Sequence, residues 1–314
     1  MEGEYRDRKA SLLVFGIVEI LGGLLCALLA ATMIVPLVIS PNEMSLQQVL
    51  MGMSVYVFLA VWLISMATGT IRIRRWARVL MLAASWLMLV CGILAMGMMF
   101  FILPKCYSSV DMPDEIAKVV LIGTYIFMAV IYLLFPAVGV LFHGNRNVRA
   151  TFEHHDSVPS WTEQCPLPVL VLVLMLAMAT VSVLMMVFMN FAIPFFGTIV
   201  AGWKGAIVLV SCIFVLIALA FGVYRLRPLA WWGVLALFSL GVASQLITFS
   251  RIELISYYEA MGYSEQMLEQ MRAMNWMEGS LLGAIAAIYA VPGFIYLLLI
   301  KRYFEKPNRG EGDG

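Results

Sequence analysis

The chain has 314 residues, of which 63% are hydrophobic and 12% charged, and its mean hydropathy is +0.95. Soluble domains carry about 25% charged residues, so this composition excludes an ordinary soluble domain and predicts a protein whose solvent is lipid. The formal net charge is +1, and no basic face with interleaved aromatic residues lies outside the apolar runs, so no nucleic-acid partner is expected.

Eight long apolar runs predict eight transmembrane helices. A helix crosses the hydrocarbon with about 20 apolar residues, and lipid leaves every backbone polar group to be satisfied within the chain. Because the runs lack the alternation of barrel strands, the sequence predicts an all-α integral membrane protein. The predicted spans are Leu12–Ile39, Leu50–Ile71, Val79–Ile102, Val119–Phe142, Val169–Phe191, Ala201–Val223, Ala230–Phe249 and Gly279–Ile300.

The first span has two interpretations. Arg6, Arg8 and Lys9 precede it, as basic residues precede the core of an export signal. The apolar run is nearly twice as long as the core of a signal peptide, however. We therefore expect a retained helix.

Glu19 is the one ionisable residue well inside a predicted span. At about 1.5 Å per residue it lies roughly 10 Å into the hydrocarbon. Gly16, Gly22 and Gly23 lie around it at helical spacing, and small residues permit close helix contact, so Glu19 is expected to face protein. It is either a proton or substrate site or one end of a structural hydrogen bond between helices. The candidate intramembrane site comprises Glu19, Ser65, Thr68, Ser85 and Tyr132.

A short basic signature recurs after the second and sixth spans, as GTIRIR at residues 69–74 and GVYRLR at residues 222–227. On this alignment Ala77 matches Ala230, and the last span of each half carries a proline, Pro136 or Pro292. The pattern predicts two tandem four-helix repeats in one orientation, at residues 1–145 and 166–305. A cytoplasmic linker at 146–165 joins them, and a disordered tail follows at 306–314. The repeats either pack together for stability alone or form a binding site at their interface.

Lysine and arginine are concentrated on one side of the predicted membrane. With the N-terminus in the cytoplasm, 15 of the 20 basic residues lie in cytoplasmic segments, as the positive-inside rule requires. We therefore predict a multi-pass protein of the plasma or inner cell membrane with both termini in the cytoplasm. Cys106 is then the one cysteine on the opposite side, and Cys165 is cytoplasmic, so no disulfide is expected.

The linker has the spacing of a capping box at Ser160-Trp161-Thr162-Glu163, which predicts a helix start there. All three histidines, His143, His154 and His155, are predicted to be cytoplasmic. Adjacent histidines on a solvated loop lack the spacing that brings metal ligands together. A solvated loop is therefore favoured over a metal site.

Methionines recur at helical intervals in the hairpin between the seventh and eighth spans, at Met267, Met271, Met274 and Met277. Thioethers are soft ligands that select Cu(I), so an extracytoplasmic copper site is a minor alternative. The other interpretation is an apolar packing face in which methionine fills gaps.

The sequence contains no HExxH, GxSxG, GxGxxG or GxxxxGK[ST] motif, and no predicted span holds two carboxylates, so we expect neither an enzyme nor a cofactor. The partners expected are the lipid bilayer and either a small-molecule ligand or another membrane protein. The leading hypothesis is a transport-like or small-ligand-binding role at the repeat interface. The alternative is an accessory or scaffold protein that holds a partner through its small-residue faces.

Overall fold

The structure is a computed structural model that describes residues 7–35, 39, 46–108, 113–273 and 279–305. Within these residues, eight helices are long and apolar enough to cross a membrane. The chain is therefore a helical multi-pass membrane protein, as the composition predicts. The spans are Lys9–Thr32, Leu46–Ile71, Arg75–Pro104, Asp114–Gly144, Leu167–Met189, Gly202–Tyr224, Pro228–Phe249 and Ala287–Glu305. The predicted tail at 306–314 lies outside the described residues.

The α-helices are, in chain order, α1 Lys9–Thr32, α2 Leu46–Ile71, α3 Arg75–Ser108, α4 Asp114–Ala129, α5 Phe135–Gly144, α6 Arg146–His155, α7 Leu167–Met185, α8 Gly202–Tyr224, α9 Pro228–Phe249, α10 Leu254–Ala260, α11 Glu265–Ala273, α12 Gly279–Ile300 and α13 Arg302–Glu305. A π-helical turn, Val130–Leu134, joins α4 to α5, and short 3₁₀ turns occupy Trp161–Glu163 and Met186–Met189.

The chain divides into two compact units. Unit 1 comprises Met1–Met96 and Tyr125–Leu167, and unit 2 comprises Gly97–Thr124 and Pro168–Gly314. Residues 97–124 thus group with the second unit, whereas the sequence argument assigns them to the first repeat.

In unit 1, α1 and α2 approach closely because α1 carries glycine on its buried face. A Cβ on Gly16 would lie 2.5 Å from Ile71 Cγ1, and one on Gly23 would lie 2.7 Å from Ile64 Cγ1. Any larger residue would push the helices apart. Small residues thus allow close helix packing in lipid, and Glu19 lies on the same buried face between the two glycines.

The pair α3 and α5 also packs through a small residue. Gly139 of α5 has no side chain where the Ser85 hydroxyl of α3 projects. Further along the same pair, Gly92 of α3 lies against the carbonyl of Tyr132 in the π-helical turn. These contacts fix α5 beside the first turns of α3.

The amphipathic helix α6 closes the linker end of unit 1. Its buried residues Val148 and Phe152 form a small core with Leu12 of α1 and Ile73, which follows α2. Asn145 caps α6 by accepting a hydrogen bond from the Asn147 amide at 2.9 Å.

The predicted capping box in the linker is confirmed. Glu163 Oε2 accepts a hydrogen bond from the Ser160 amide at 3.1 Å. The box opens a single 3₁₀ turn, and α7 begins at Leu167.

Unit 2 contains a hairpin that the sequence argument did not predict. Strand β1, Ile193–Phe195, pairs antiparallel with β2, Thr198–Val200, in the register Ile193–Val200 and Phe195–Thr198. Ser244 and Thr248 of α9 hold the turn, since the amides of Phe196 and Gly197 donate to their hydroxyls at 3.0 Å each.

Apolar side chains fill the core of unit 2. The largest of the fully buried ones is Trp231, whose indole Nε1 donates to the carbonyl of Leu297 at 2.9 Å. This apolar core comprises Val169, Leu172, Leu176, Leu216, Val223, Ala230, Trp231, Val234, Leu297, Ile300 and Phe304.

Candidate functional site

Glu19 is buried inside unit 1 with 1% of its surface exposed. It faces protein, as the glycine pattern predicts. Neither carboxyl oxygen has a hydrogen-bond partner among the described residues. A buried polar group without a partner is costly, so this carboxyl requires an explanation beyond packing.

Thr70 of α2 is the side chain whose hydroxyl lies beside the Glu19 carboxyl. It is completely buried, yet its hydroxyl forms no hydrogen bond of ordinary geometry with any described residue. Thr70 is not among the site residues predicted from the sequence. It shares the buried face of α2 with Ala67 at helical spacing.

The other proposed neighbours of Glu19 lie elsewhere. Ser65 and Thr68 are on the exposed side of α2, and the Thr68 hydroxyl donates to the carbonyl of Ile64 at 2.8 Å. Tyr132 is 40% exposed. Ser85 is buried on α3 against Gly139. The rotation of α2 therefore brings Thr70, and not Ser65 or Thr68, toward the carboxyl.

His143 lies inside unit 1. It is completely buried at the end of α5, and neither ring nitrogen has a partner among the described residues. Its ring contacts Phe15 at 5.1 Å and Phe142 at 5.2 Å between centroids. Phe15 is one helical turn before Glu19 on α1.

Arg78, in the first turn of α3, joins His143 to the linker. Its Nη1 donates to the His143 carbonyl at 3.3 Å, and its Nη2 lies 3.9 Å from Glu163 Oε1. Arg78 Nε is buried and has no partner in the described part of the chain.

Glu19, Thr70, Arg78 and His143 are termed the polar cluster. Every buried side-chain nitrogen or oxygen without a hydrogen-bond partner, among the described residues, belongs to one of these four. Native structures leave few such atoms unpaired. All four residues lie in unit 1.

An open cleft of about 390 Å³ lies at the linker end of unit 1. Its polar walls are Arg75, Arg78, Arg149 and Glu163, and its apolar walls include Val79, Leu82 and Leu167. Arg75 contacts Glu163 twice: its Nη2 lies 2.9 Å from Glu163 Oε2, and its Nε donates to Glu163 Oε1 at 3.2 Å. This bidentate pair ties the linker to α3.

Ion pairing and burial shift the pKa values of side chains around the cleft. Arg149 Nε donates to Glu153 Oε1 at 2.7 Å, which raises the pKa of Arg149 and lowers that of Glu153. Cys165 is almost fully buried in the wall, and burial raises the pKa of its thiol to about 11. Cys165 is therefore a poor nucleophile at neutral pH.

The methionine stripe is only partly described. Met267 and Met271 are half-buried on α11, whereas Met274 and Met277 lie outside the described residues. The copper site therefore stays a prediction. In the linker, His155 Nδ1 lies 2.9 Å from the carbonyl of Thr151, and the described His, Cys, Asp and Glu residues form no metal-binding group of three.

Comparison of this chain with models of protein families, with curated proteins and with solved structures finds no match. The fold and the polar cluster therefore define the class directly, as a multi-pass helical membrane protein with a buried polar group in its first unit.

Proposed function

We propose that the chain contains two tandem four-helix repeats and that the first of them holds a small-ligand site of a transport-like protein. The turns after α2 and α8 support the repeat. Arg74 N donates to Gly69 O at 2.8 Å, and Arg227 N donates to Gly222 O at 3.0 Å. The residue before each of these arginines has a left-handed backbone, with φ of 52° and 55°. Both turns are Schellman motifs built without glycine at the left-handed position.

Small-residue contacts at these turns also correspond. A Cβ on Gly69 would lie 2.5 Å from Ala77 Cβ, and one on Gly222 would lie 2.6 Å from Ala230 Cβ. In both units the chain reverses where the next helix begins with an alanine packed on this glycine. This is the pairing that the basic signatures predict.

The last helix of each unit gives a further correspondence. Ser85 packs on Gly139 in unit 1, and Phe238 packs on Gly293 in unit 2. These pairs imply that α5 and α12 align through their glycines. Pro136 and Pro292 do not match in that register, so the prolines used in the sequence alignment are not equivalent.

Three residues of the polar cluster have counterparts in unit 2. On this register Thr70 corresponds to Val223, and both are completely buried. Arg78 corresponds to Trp231 and His143 to Leu297, and each pair joins α3 to α5, or α9 to α12, through a side-chain donor and a backbone carbonyl. Val223, Trp231 and Leu297 belong to the apolar core of unit 2, so the correspondence supports the repeat although the side chains differ.

The unpartnered carboxyl of Glu19 is the observation that carries the proposal. Ionisable residues within membrane helices are expensive and mark substrate, ion or proton pathways. Glu19 supplies the acid, and Thr70 supplies a hydroxyl beside it. A small polar ligand or a proton satisfies both groups when it binds, and the role proposed is non-enzymatic.

The scaffold alternative is less well supported. It depends on a small-residue face available to a partner, but α2 covers Gly16 and Gly23 of α1. The glycines are therefore used within unit 1. An extracytoplasmic copper site at the methionine stripe remains a minor alternative proposal, tested by copper binding to the full-length protein.

Proton movement tests the proposed function. Purified protein is reconstituted in vesicles that contain a pH-sensitive dye, and an electrical potential is imposed. We expect the wild-type protein to move protons and Glu19→Gln to abolish the movement without loss of folded protein, because glutamine cannot ionise. Ser65→Ala, on the exposed side of α2, is the matched control and should behave as wild type. Equal rates for wild type, Glu19→Gln and empty vesicles would exclude the proton and leave a small polar ligand as the species bound at Glu19.

A further inference from the structure

We propose that the cleft at the linker end of unit 1 binds a phosphate group, and this inference is independent of the role of Glu19. Three guanidinium groups and one carboxylate line the cleft, so positive charge predominates in its lining, while Glu153 outside the lining pairs with Arg149. A phosphate monoester carries about −1.5 to −2 at neutral pH and is attracted by this positive charge.

Arg78 provides the built part of this site. It is 8% exposed and lines the cleft. Its Nη2 lies 3.9 Å from Glu163 Oε1, which is too long for a hydrogen bond. The guanidinium fork matches the geometry of phosphate oxygens, so Arg78 can bind a phosphate that enters the cleft.

The remaining arginines place charge at two sides of the cleft. Arg75 is held by Glu163 and by the carbonyl of Asp156, so its position is fixed. Arg149 extends from α6 with 63% of its side chain exposed, and its carboxylate partner, Glu153, is not part of the cleft lining. Arg149 can therefore turn toward an incoming anion at little cost, since an exposed ion pair contributes only about 0–1 kcal/mol.

The apolar walls suggest how a phosphate-bearing molecule is oriented. Val79, Leu82 and Leu167 belong to the first turns of membrane helices α3 and α7. A phosphate with an apolar substituent places its charge on the arginines and its substituent against these residues. Basic pockets between membrane helices bind lipid headgroups by the same chemistry. The ligand is thus either a free phosphate or the phosphate of an anionic lipid.

Two arms of one experiment distinguish these sources. The full-length protein in neutral detergent is titrated with inorganic phosphate, against chloride at equal ionic strength, and its melting temperature is followed. The same protein is then melted in phosphatidylcholine nanodiscs with and without phosphatidylglycerol. A shift with inorganic phosphate identifies a free-anion site, whereas a shift only with phosphatidylglycerol identifies a headgroup site.

Matched variants locate the effect. Arg149→Gln should weaken binding about tenfold, equivalent to about 1.4 kcal/mol. Arg146→Gln removes the same charge from an exposed position on the same helix and should leave binding unchanged. Arg78→Lys keeps the charge but loses the guanidinium fork, and it should weaken phosphate binding to a similar extent. If Arg78→Lys does not fold, Arg149→Gln alone tests whether the cleft binds phosphate.

The outcomes also separate this site from the proposed transport function. Glu19→Gln should bind phosphate as wild type does, because Glu19 does not line the cleft. Absence of any shift in both arms, or equal weakening by Arg146→Gln and Arg149→Gln, would overturn the phosphate site and leave the test of Glu19 untouched.

Discussion

Burying the carboxyl of Glu19 costs free energy of folding that no hydrogen bond from a described residue offsets. Both carboxyl oxygens are buried and lack a hydrogen-bond partner among the described residues. Leaving a buried polar group unpaired costs about 1–3 kcal/mol, and an apolar side chain of similar size removes that cost. On stability alone, a hydrophobic residue of similar size would be favoured at this position.

We accordingly predict that Glu19→Leu stabilises the protein by about 1 kcal/mol, whereas Glu19→Gln changes the free energy of unfolding by less than about 1 kcal/mol. Reversible unfolding in detergent, followed by helical circular dichroism, measures both. Thr68→Val serves as the control on the exposed side of α2. A marked loss of stability in Glu19→Leu would instead mean that the carboxyl makes a structural hydrogen bond.

Cys165 gives a prediction that depends on pH. Burial raises the pKa of its thiol to about 11 from an ordinary value of 9.0. Because the thiolate is the nucleophile, the rate of its alkylation by iodoacetamide should keep rising up to about pH 11. Peptide mass spectrometry at each pH measures this rate, and a plateau near pH 9 would show an ordinary exposed thiol.

The same raised pKa links Cys165 to stability. The folded state holds the thiol neutral where the unfolded chain ionises it, so stabilisation is complete below pH 9 and is lost as the pH rises from about 9 to about 11. Cys165→Ala should reduce this loss. The free energy of unfolding of the wild type and of Cys165→Ala is measured at each pH. Groups that titrate equally in both proteins cancel in the difference.

At the element scale, the Schellman turn after α2 combines backbone strain with side-chain burial. Ile73 has a φ of 52° although it is β-branched, a conformation that costs about 1–2 kcal/mol. It is held there because its side chain is 5% exposed in the core beneath α6. Removing a buried isoleucine costs about 2–5 kcal/mol, so burial outweighs strain.

This balance predicts different results for the two turns. Ile73→Gly relieves the strain but loses the burial, and should destabilise the protein by about 2 kcal/mol. Leu226→Gly relieves the same strain at a half-buried position and should be near neutral. Thermal unfolding of both variants measures the difference. Equal effects would mean that the side chain of Ile73 does not hold the turn.

The elements also show what the sequence can predict. Hydrocarbon thickness fixes the length of a span, so eight apolar runs give eight membrane helices within the described residues. The glycine pattern of α1 correctly predicts that Glu19 faces protein. Helix rotation depends on the facing helix, however, so Thr70 was missed in favour of Ser65 and Thr68. His143 was missed because its aromatic contacts with Phe15 and Phe142 arise only when α1 and α5 pack together.

The short hairpin of unit 2 illustrates a second limit. Its strands have three residues each, and the turn between them donates hydrogen bonds to Ser244 and Thr248 of α9, about fifty positions along the chain. Periodicity needs longer segments than this to indicate a strand, so the sequence does not predict the hairpin.

At the scale of the whole molecule, the orientation in the membrane is still a prediction from charge. Native cysteines are unsuitable reporters for it. Cys165 is 6% exposed with a pKa of about 11, so its failure to react would not reveal its side of the membrane. The side chain of Cys106 lies outside the described residues. New cysteines are needed at exposed positions on segments predicted to lie on opposite sides.

Arg146→Cys and Glu265→Cys meet this need, because Arg146 is exposed on α6 and the side chain of Glu265 is 76% exposed on α11. With both termini in the cytoplasm, a membrane-impermeant maleimide on intact cells should label Glu265→Cys at once. It should label Arg146→Cys only after the membrane is permeabilised, since the positive-inside rule holds the arginine-rich linker in the cytoplasm. Labelling of the parent chain gives the background. The reverse pattern would place the polar cluster and the arginine cleft at the outer surface, and the phosphate ligand would then have to come from outside the cell.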